Sequence, residues 1–290
     1  MTWFVSFRSQ DVAGPVLRTA EVVASEAVEK PSYTPVAPLV VERAALNRRV
    51  ILAIHGFNVS RPKGVRSLSR LEAALAPGPD ELFFGVLWPG DWWAPVINYP
   101  AEASDAVAAG QGLARFVNER LRGAESVSLI SHSLGGRVLL ETLAGLDRPA
   151  RSVCIGAGAV DNDCLQGQYK SATAQARRLS VLASDRDKVL KLAYPLGDFA
   201  SDFLWRDNDS PWRGALGLKG PRTALPNPPV SHRQIHRDDN YDHGDYFPPS
   251  AWPEPSPKAG KPAPRWREAA AYMRRCIDGA PDSWTRRPPK

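Results

Sequence analysis

The sequence predicts an α/β fold with a mostly parallel central sheet and helices on both of its faces. Short apolar runs of strand length recur through the first two-thirds of the chain, and segments with apolar residues at helical spacing separate them. The chain has 290 residues, 43% of them hydrophobic and 23% charged, enough apolar material for a core of that kind. Strands separated by helices pair in parallel through right-handed crossovers.

Val50-Ile51-Leu52-Ala53-Ile54 is a buried-strand run ending at His55-Gly56. Apolar positions from Leu68 to Leu75 fall on one helical face, and Pro77-Gly78-Pro79 stops that helix. Leu82 to Leu87 reads as the next strand, and residues from about 101 to 121 as a long helix. Ser126 to Ile130 is a further strand, followed at once by a helix from Leu134 to about Leu146. Arg151 to Ile155 and Leu179 to Ala183 complete the set of strands. Residues of about 195–263 are rich in Pro, Gly, Asp and Trp and lack periodicity, so they read as an irregular functional or binding region. An amphipathic helix over about 265–277 closes the chain. No repeat and no second core is visible, so residues 1–290 are read as one domain.

The net charge is +6, from 37 basic and 31 acidic residues. Much of the excess lies near the C-terminus, in a Pro-rich stretch, one helix and a tail, which reads as a solvated basic end and not as a nucleic-acid groove. Three cysteines, Cys154, Cys164 and Cys276, are too few and too scattered for a disulfide framework or a zinc site. Met1 to Arg8 lacks the basic and long apolar regions of a signal peptide, and no run approaches a membrane span. A cytoplasmic protein without stable membrane insertion is therefore expected. The sequence leaves its oligomeric state open.

Ser131-His132-Ser133-Leu134-Gly135-Gly136 stands between a predicted strand and a predicted helix. A nucleophile elbow needs this context, because the central Ser is forced into a sharp turn that tolerates only small residues two positions away. Gly135 meets that need, and Ser131, where the motif usually has Gly, is small. The turn would also set Ser133 at a helix N-terminus, where amides and the helix dipole favour developing negative charge. A Ser-rich helix cap is the non-catalytic alternative.

Taken with Ile54-His55-Gly56-Phe57-Asn58 after an early strand, this elbow resembles the α/β-hydrolase superfamily. The nearest resemblance is to a branch of small bacterial members with an H-G-[YF]-N segment and a Trp-Pro after the next strand, which Trp88-Pro89 matches. The resemblance implies an α/β-hydrolase fold and an oxyanion hole formed by the main-chain amides of Phe57 and Leu134. Gly56 permits the sharp turn, and His55 and Asn58 are expected to tie the loop down by hydrogen bonds.

The superfamily order of Ser, acid, His implies the remaining partners. In Ser184-Asp185-Arg186-Asp187-Lys188-Val189 the small residue and the aliphatic select Asp187 as the acid, with Asp185 in reserve. Of five histidines, His55 and His132 precede the acid, and the side chain of His132 is expected to point away from the cleft. His243 in Asp242-His243-Gly244-Asp245-Tyr246-Phe247 is preferred as the base, with His232 second.

Two His and four Asp between His236 and Asp245 match no metal-ligand spacing. Gly156-Ala157-Gly158 lacks the third glycine of a dinucleotide fingerprint. Neither a metal nor a cofactor is expected. Trp88, Trp92 and Trp93 follow the strand ending at Leu87 and are candidates either for a substrate pocket or for anchoring the loops. The expected activity is that of a serine hydrolase acting on a small-molecule carboxylic ester. A non-catalytic binding protein of the same fold is the rival from another class, and hydrolysis of a thioester, lactone or amide would need the same residues.

Overall fold

The computed structural model describes residues 1–91, 99–192, 214–223, 230–256, 265–281 and 284. Among these the strands are β1 (Thr2–Arg8), β2 (Val16–Ser25), β3 (Thr34–Pro35), β4 (Arg49–Ile54), β5 (Glu81–Leu87), β6 (Ser126–His132), β7 (Ser152–Gly156), β8 (Leu179–Ser184) and β9 (Val230–Ile235). They form one sheet in the order β3-β2-β1-β5-β4-β6-β7-β8-β9. The β1–β2 and β2–β3 pairs are antiparallel, and every pair from β1 to β9 is parallel. The helices are α1 (Pro38–Ala45), α2 (Arg61–Leu75), α3 (Tyr99–Arg120), α4 (Gly135–Ala144), α5 (Lys170–Ala174), α6 (Lys188–Leu192), α7 (Leu216–Lys219) and α8 (Trp266–Asp278).

The central strands read as continuous apolar runs because both of their faces are covered. In β4, Val50 through Ile54 are all buried, and each such Val, Ile or Leu contributes about 2 kcal/mol on leaving water. Phe4 and Phe7 of β1 point to opposite faces. A Cβ on Gly85 of β5 would meet Phe4 at 2.6 Å and Leu68 of α2 at 3.0 Å, whereas one on Gly112 of α3 would meet Phe7 at 2.6 Å. Helices α2 and α8 thus pack on one face, and α3 and α4 pack together on the other. α2 stops where Ala76 turns left-handed (φ 46°) and caps Glu72, with Pro77 next. α8 buries Trp266, Ala269, Ala270, Tyr272, Met273, Cys276 and Ile277 along one stripe. No helix of the described residues is long and apolar enough to cross a membrane.

The apolar runs begin at Val50, yet β1, β2, β3 and α1 all lie before it. The expected irregular stretch also includes 230–235, where the structure has β9. That strand is an edge with a burial pattern of mostly half-exposed side chains, so it lacks the apolar run that marked the inner strands.

What the topology does for function is to bring two loops together. From β4 the chain moves outward to β5 and then returns across β4 to β6. The strand order reverses there, and the loops leaving the carboxyl ends of β4 and β6 lie against each other, a Cβ on Gly56 falling 2.9 Å from Cβ of Ser133.

Candidate active site

His55-Gly56-Phe57 leaves β4 at that reversal, and Ser133 leaves β6 beside it. Ser133 takes φ of +54°, a left-handed conformation that a non-glycine residue adopts only under constraint. The constraint is visible in its own backbone. The Ser133 amide donates to Gly156 O at the end of β7 over 3.1 Å, and its carbonyl accepts from Gly136 at 2.9 Å and Ala159 at 3.1 Å. Gly135 is required by contact: a Cβ there would lie 2.5 Å from the carbonyl oxygen of His55.

The three residues selected by the superfamily order meet. His243 Nε2 lies 2.9 Å from Ser133 Oγ, and His243 Nδ1 lies 2.7 Å from Asp187 Oδ2. With Nδ1–H donating to the carboxylate, Nε2 is free to accept from the hydroxyl. Asp187 is wholly buried, and its second oxygen accepts from the Leu190 amide at 2.9 Å. Ser133 is 6% exposed. Asp185 is turned away and pairs with Arg237 at 3.2 Å. His232 lies on β9, in register with Val181 and 3.1 Å from Gln234 Oε1.

The base loop is held from several sides. His243 to Asp245 form a short 3-10 turn with a reciprocal capping box between Asp242 and Asp245. Ser184 Oγ donates to Tyr241 O over 2.8 Å. Beyond the turn, Pro248 and Ser250 offer carbonyls to Ser67 Oγ at 2.7 Å and Arg66 Nε at 2.8 Å, and Pro249 accepts from Arg70. The segment after the base is thereby strapped to α2.

His55 anchors the loop that precedes Phe57. Its Nδ1–H donates to Gly56 O over 2.8 Å, and its Nε2 accepts from the Trp88 amide at 3.3 Å. Burial first, and then the nearby Arg8, push its pKa down to about 3, against a weaker opposing effect of the Gly56 bond, so the ring is neutral. Asn58 ties the loop through its main chain. Its backbone turns left-handed (φ 57°), and its amide donates to Gly90 O at 2.5 Å. Among the described residues the amides of Phe57 and Leu134 find no hydrogen-bond acceptor.

Trp88 needs correction as a pocket candidate. It is fully buried, stacks on His55 with ring centroids 5.8 Å apart, and donates its indole N–H to His55 O over 2.9 Å. It props the loop that carries His55 and Phe57, with its side chain fully buried. Trp92 and Trp93 lie outside the described residues. His132 is tied to the base loop, donating Nε2–H to His243 O over 3.0 Å. That contact depends on the turn as a whole, so sequence adjacency to Ser133 could not reveal it. The Arg8–Asp91 pair is a further unforeseen support. Both side chains are buried, and Arg8 also donates to Val59 O over 2.6 Å, which joins β1 to the loops after β4 and β5.

The family described as an alpha/beta hydrolase of unknown function (DUF900) matches residues 40–201. No curated protein matches the chain in sequence. Among solved structures, esterase B from Lactobacillus rhamnosis is similar at 13% identity and a TM-score of 0.45, with 96% of this chain and 85% of that one covered. Carboxyl esterase 2 from the mycorrhizal fungus Tuber melanosporum is similar at 14% identity and a TM-score of 0.44, over 96% and 91% of the two chains. A hyperthermophilic esterase from the archaeon Pyrobaculum calidifontis follows at 12% identity and 0.42, over 94% and 85%. With a match over more than half its length, on a sheet of this topology, the chain belongs to the DUF900 family of α/β hydrolases.

Proposed function

We propose that this protein is a serine hydrolase that cleaves a small-molecule carboxylic ester through an acyl-enzyme. The observation that carries the reading is the unbroken relay from Ser133 Oγ through His243, at 2.9 Å, to the buried Asp187, at 2.7 Å. A Ser hydroxyl is a poor nucleophile until a base accepts its proton and a carboxylate orients that base.

In this mechanism Ser133 Oγ attacks the acyl carbon as His243 Nε2 takes its proton. Asp187 stabilises the imidazolium and fixes the tautomer. The amides of Phe57 and Leu134 stabilise the oxyanion, and a donor in that role is worth about 3 kcal/mol of barrier. His243 returns its proton to the leaving alkoxide, and water then repeats the sequence to free the acid. Membership of the α/β hydrolases supports the hydrolytic reading. The same relay would serve a thioester, a lactone or an amide, and the ester is proposed because a Ser nucleophile on this scaffold most often acts on one.

A fluorophosphonate probe tests the proposal. Wild-type protein is expected to be labelled at Ser133, and Ser133→Ala to remain unlabelled. Absence of label in both would overturn the enzymatic reading in favour of a binding protein. A panel of p-nitrophenyl esters of increasing acyl length then defines the preferred substrate.

A further inference from the structure

The chain neighbour of the proposed nucleophile reaches across to the proposed base. His132 is the last residue of β6, and its Nε2 lies 3.0 Å from the main-chain carbonyl of His243. The two imidazole rings are 4.7 Å apart and inclined at 42°. On its other side His132 stacks on Phe247, with centroids 5.2 Å apart and planes 24° apart, and more loosely on Tyr246 at 6.0 Å. One residue therefore joins both halves of the relay: its backbone is covalently continuous with Ser133, and its side chain grips the turn that carries His243.

Only a ring bearing hydrogen on Nε2 makes that bond, and the ring must also be uncharged. A cation this close would oppose the positive charge that His243 acquires when it takes the serine proton. Burial first, and then the neighbouring His243, hold the His132 pKa well below the ordinary imidazole range, against the opposing effect of its bond to the His243 carbonyl and with a lesser push from His55. The neutral Nε2–H tautomer is therefore the form present, and it is a donor without a charge.

We propose that His132 is a positioning residue for the base, setting the distance between His243 and Ser133 through its hydrogen bond to the His243 carbonyl. The role rests on the triad proposed above. It differs from simple packing, because Phe247 and Tyr246 supply stacking area to any flat ring, whereas the His243 carbonyl is served only by a donor. A displacement of about 1 Å in such a relay is enough to slow its chemistry about a hundredfold.

Three variants separate the bond from the stack. His132→Phe keeps a ring on Phe247 and removes the donor, His132→Gln keeps an N–H at similar reach, and His132→Ala removes both. The readouts are the maximal rate and the half-saturating concentration for fluorophosphonate inactivation, the downfield proton resonance of the His243–Asp187 hydrogen bond, and the melting temperature. His132→Phe is expected to fold, to lower the maximal inactivation rate about tenfold or more with little change in half-saturation, and to broaden or lose the downfield resonance. His132→Gln is expected to recover most of the rate. Should the Phe variant not fold, His132→Met against His132→Gln makes the same comparison with flexible side chains. A donor-free variant that folds and keeps both the wild-type rate and the resonance overturns the positioning role alone, whereas unlabelled wild-type protein overturns the triad.

Discussion

The main-chain amide of Lys188 donates to Oδ1 of Asp242 over 3.0 Å. The residue after the proposed acid is thus bonded to the residue before the proposed base. Oδ1 of Asp242 also accepts from the His243 amide at 2.9 Å, so one carboxylate closes the gap between two loops that leave different strands.

Asp242→Ala should therefore loosen both loops together. A lost cap of this kind destabilises by about 1 kcal/mol, and labelling of Ser133 is expected to slow as well. Asp242→Asn keeps an oxygen acceptor and should retain most of both properties. Thermal melting and labelling kinetics on the two variants provide the check; an Ala variant that labels at the wild-type rate refutes the coupling. Burial alone would raise the Asp242 pKa, but the amides of Lys188 and His243 and the Lys188 ammonium outweigh it and hold it below the usual value. Its stabilising contribution is thus complete above the ordinary carboxylate range and is lost as pH falls below that range.

Asp187→Asn should leave the fold intact while reversing the hydrogen-bonding preference of His243 Nδ1. An amide that offers N–H favours the tautomer with hydrogen on Nε2, which cannot accept the serine proton. The expected loss in ester turnover is about ten-thousandfold. Asp185→Asn, at the residue paired with Arg237 at 3.2 Å, should change turnover little. Equal effects of the two substitutions would reject the assignment.

Acid should unfold this protein through two histidines, the buried His55 and the half-buried His132. His55 has its pKa pushed down to about 3, and that of His132 also lies well below its ordinary value. The unfolded chain binds a proton at each of these sites below about pH 6.5, but the folded chain does not. Both rings are therefore neutral in the fold at neutral pH, and stability falls as pH drops from about 6.5 towards 3. His55→Asn should flatten that dependence by about one proton while lowering stability at pH 7.5, because the props to Gly56 and Trp88 are lost. Denaturant melts at a series of pH values measure the slope, and an unchanged slope would refute neutral burial of His55.

Gly135→Ala places a methyl group where only hydrogen fits, 2.5 Å from the His55 carbonyl oxygen and 3.0 Å from that of Ile54. Neither oxygen can yield cheaply, since His55 O holds the Trp88 indole at 2.9 Å. Destabilisation of about 1–3 kcal/mol is expected, together with slower labelling as the Phe57 loop is pushed from the elbow. A variant as stable and as reactive as wild type would show that the two loops are less closely packed.

The parts of this fold that were legible in the amino-acid order are those with a local signature. β4, β6, β7 and β8 are buried on both faces, so each announces itself as an apolar run, and α2 is bracketed by Pro residues. β9 carries Ser231, His232, Arg233 and Gln234 and becomes a strand only because β8 offers it a row of unpaired main-chain groups. Trp88 could be seen to follow a strand, but whether its indole faced a cleft or a carbonyl depended on the turn at Gly90.

Local chemistry also explains why Ser133 stood out: a left-handed turn between strand and helix needs small neighbours, and the chain displays them. The identities of the proposed acid and base came from an order of residues shared by a superfamily. What tertiary structure alone decided is the convergence of residues 133, 187 and 243 at the carboxyl ends of β6, β8 and β9. It also decided the support they receive from His55, Trp88, His132 and Asp242. Hydrogen bonds act over about 3 Å, and residues separated by more than fifty positions come within that reach only when a shared sheet sets their loops side by side.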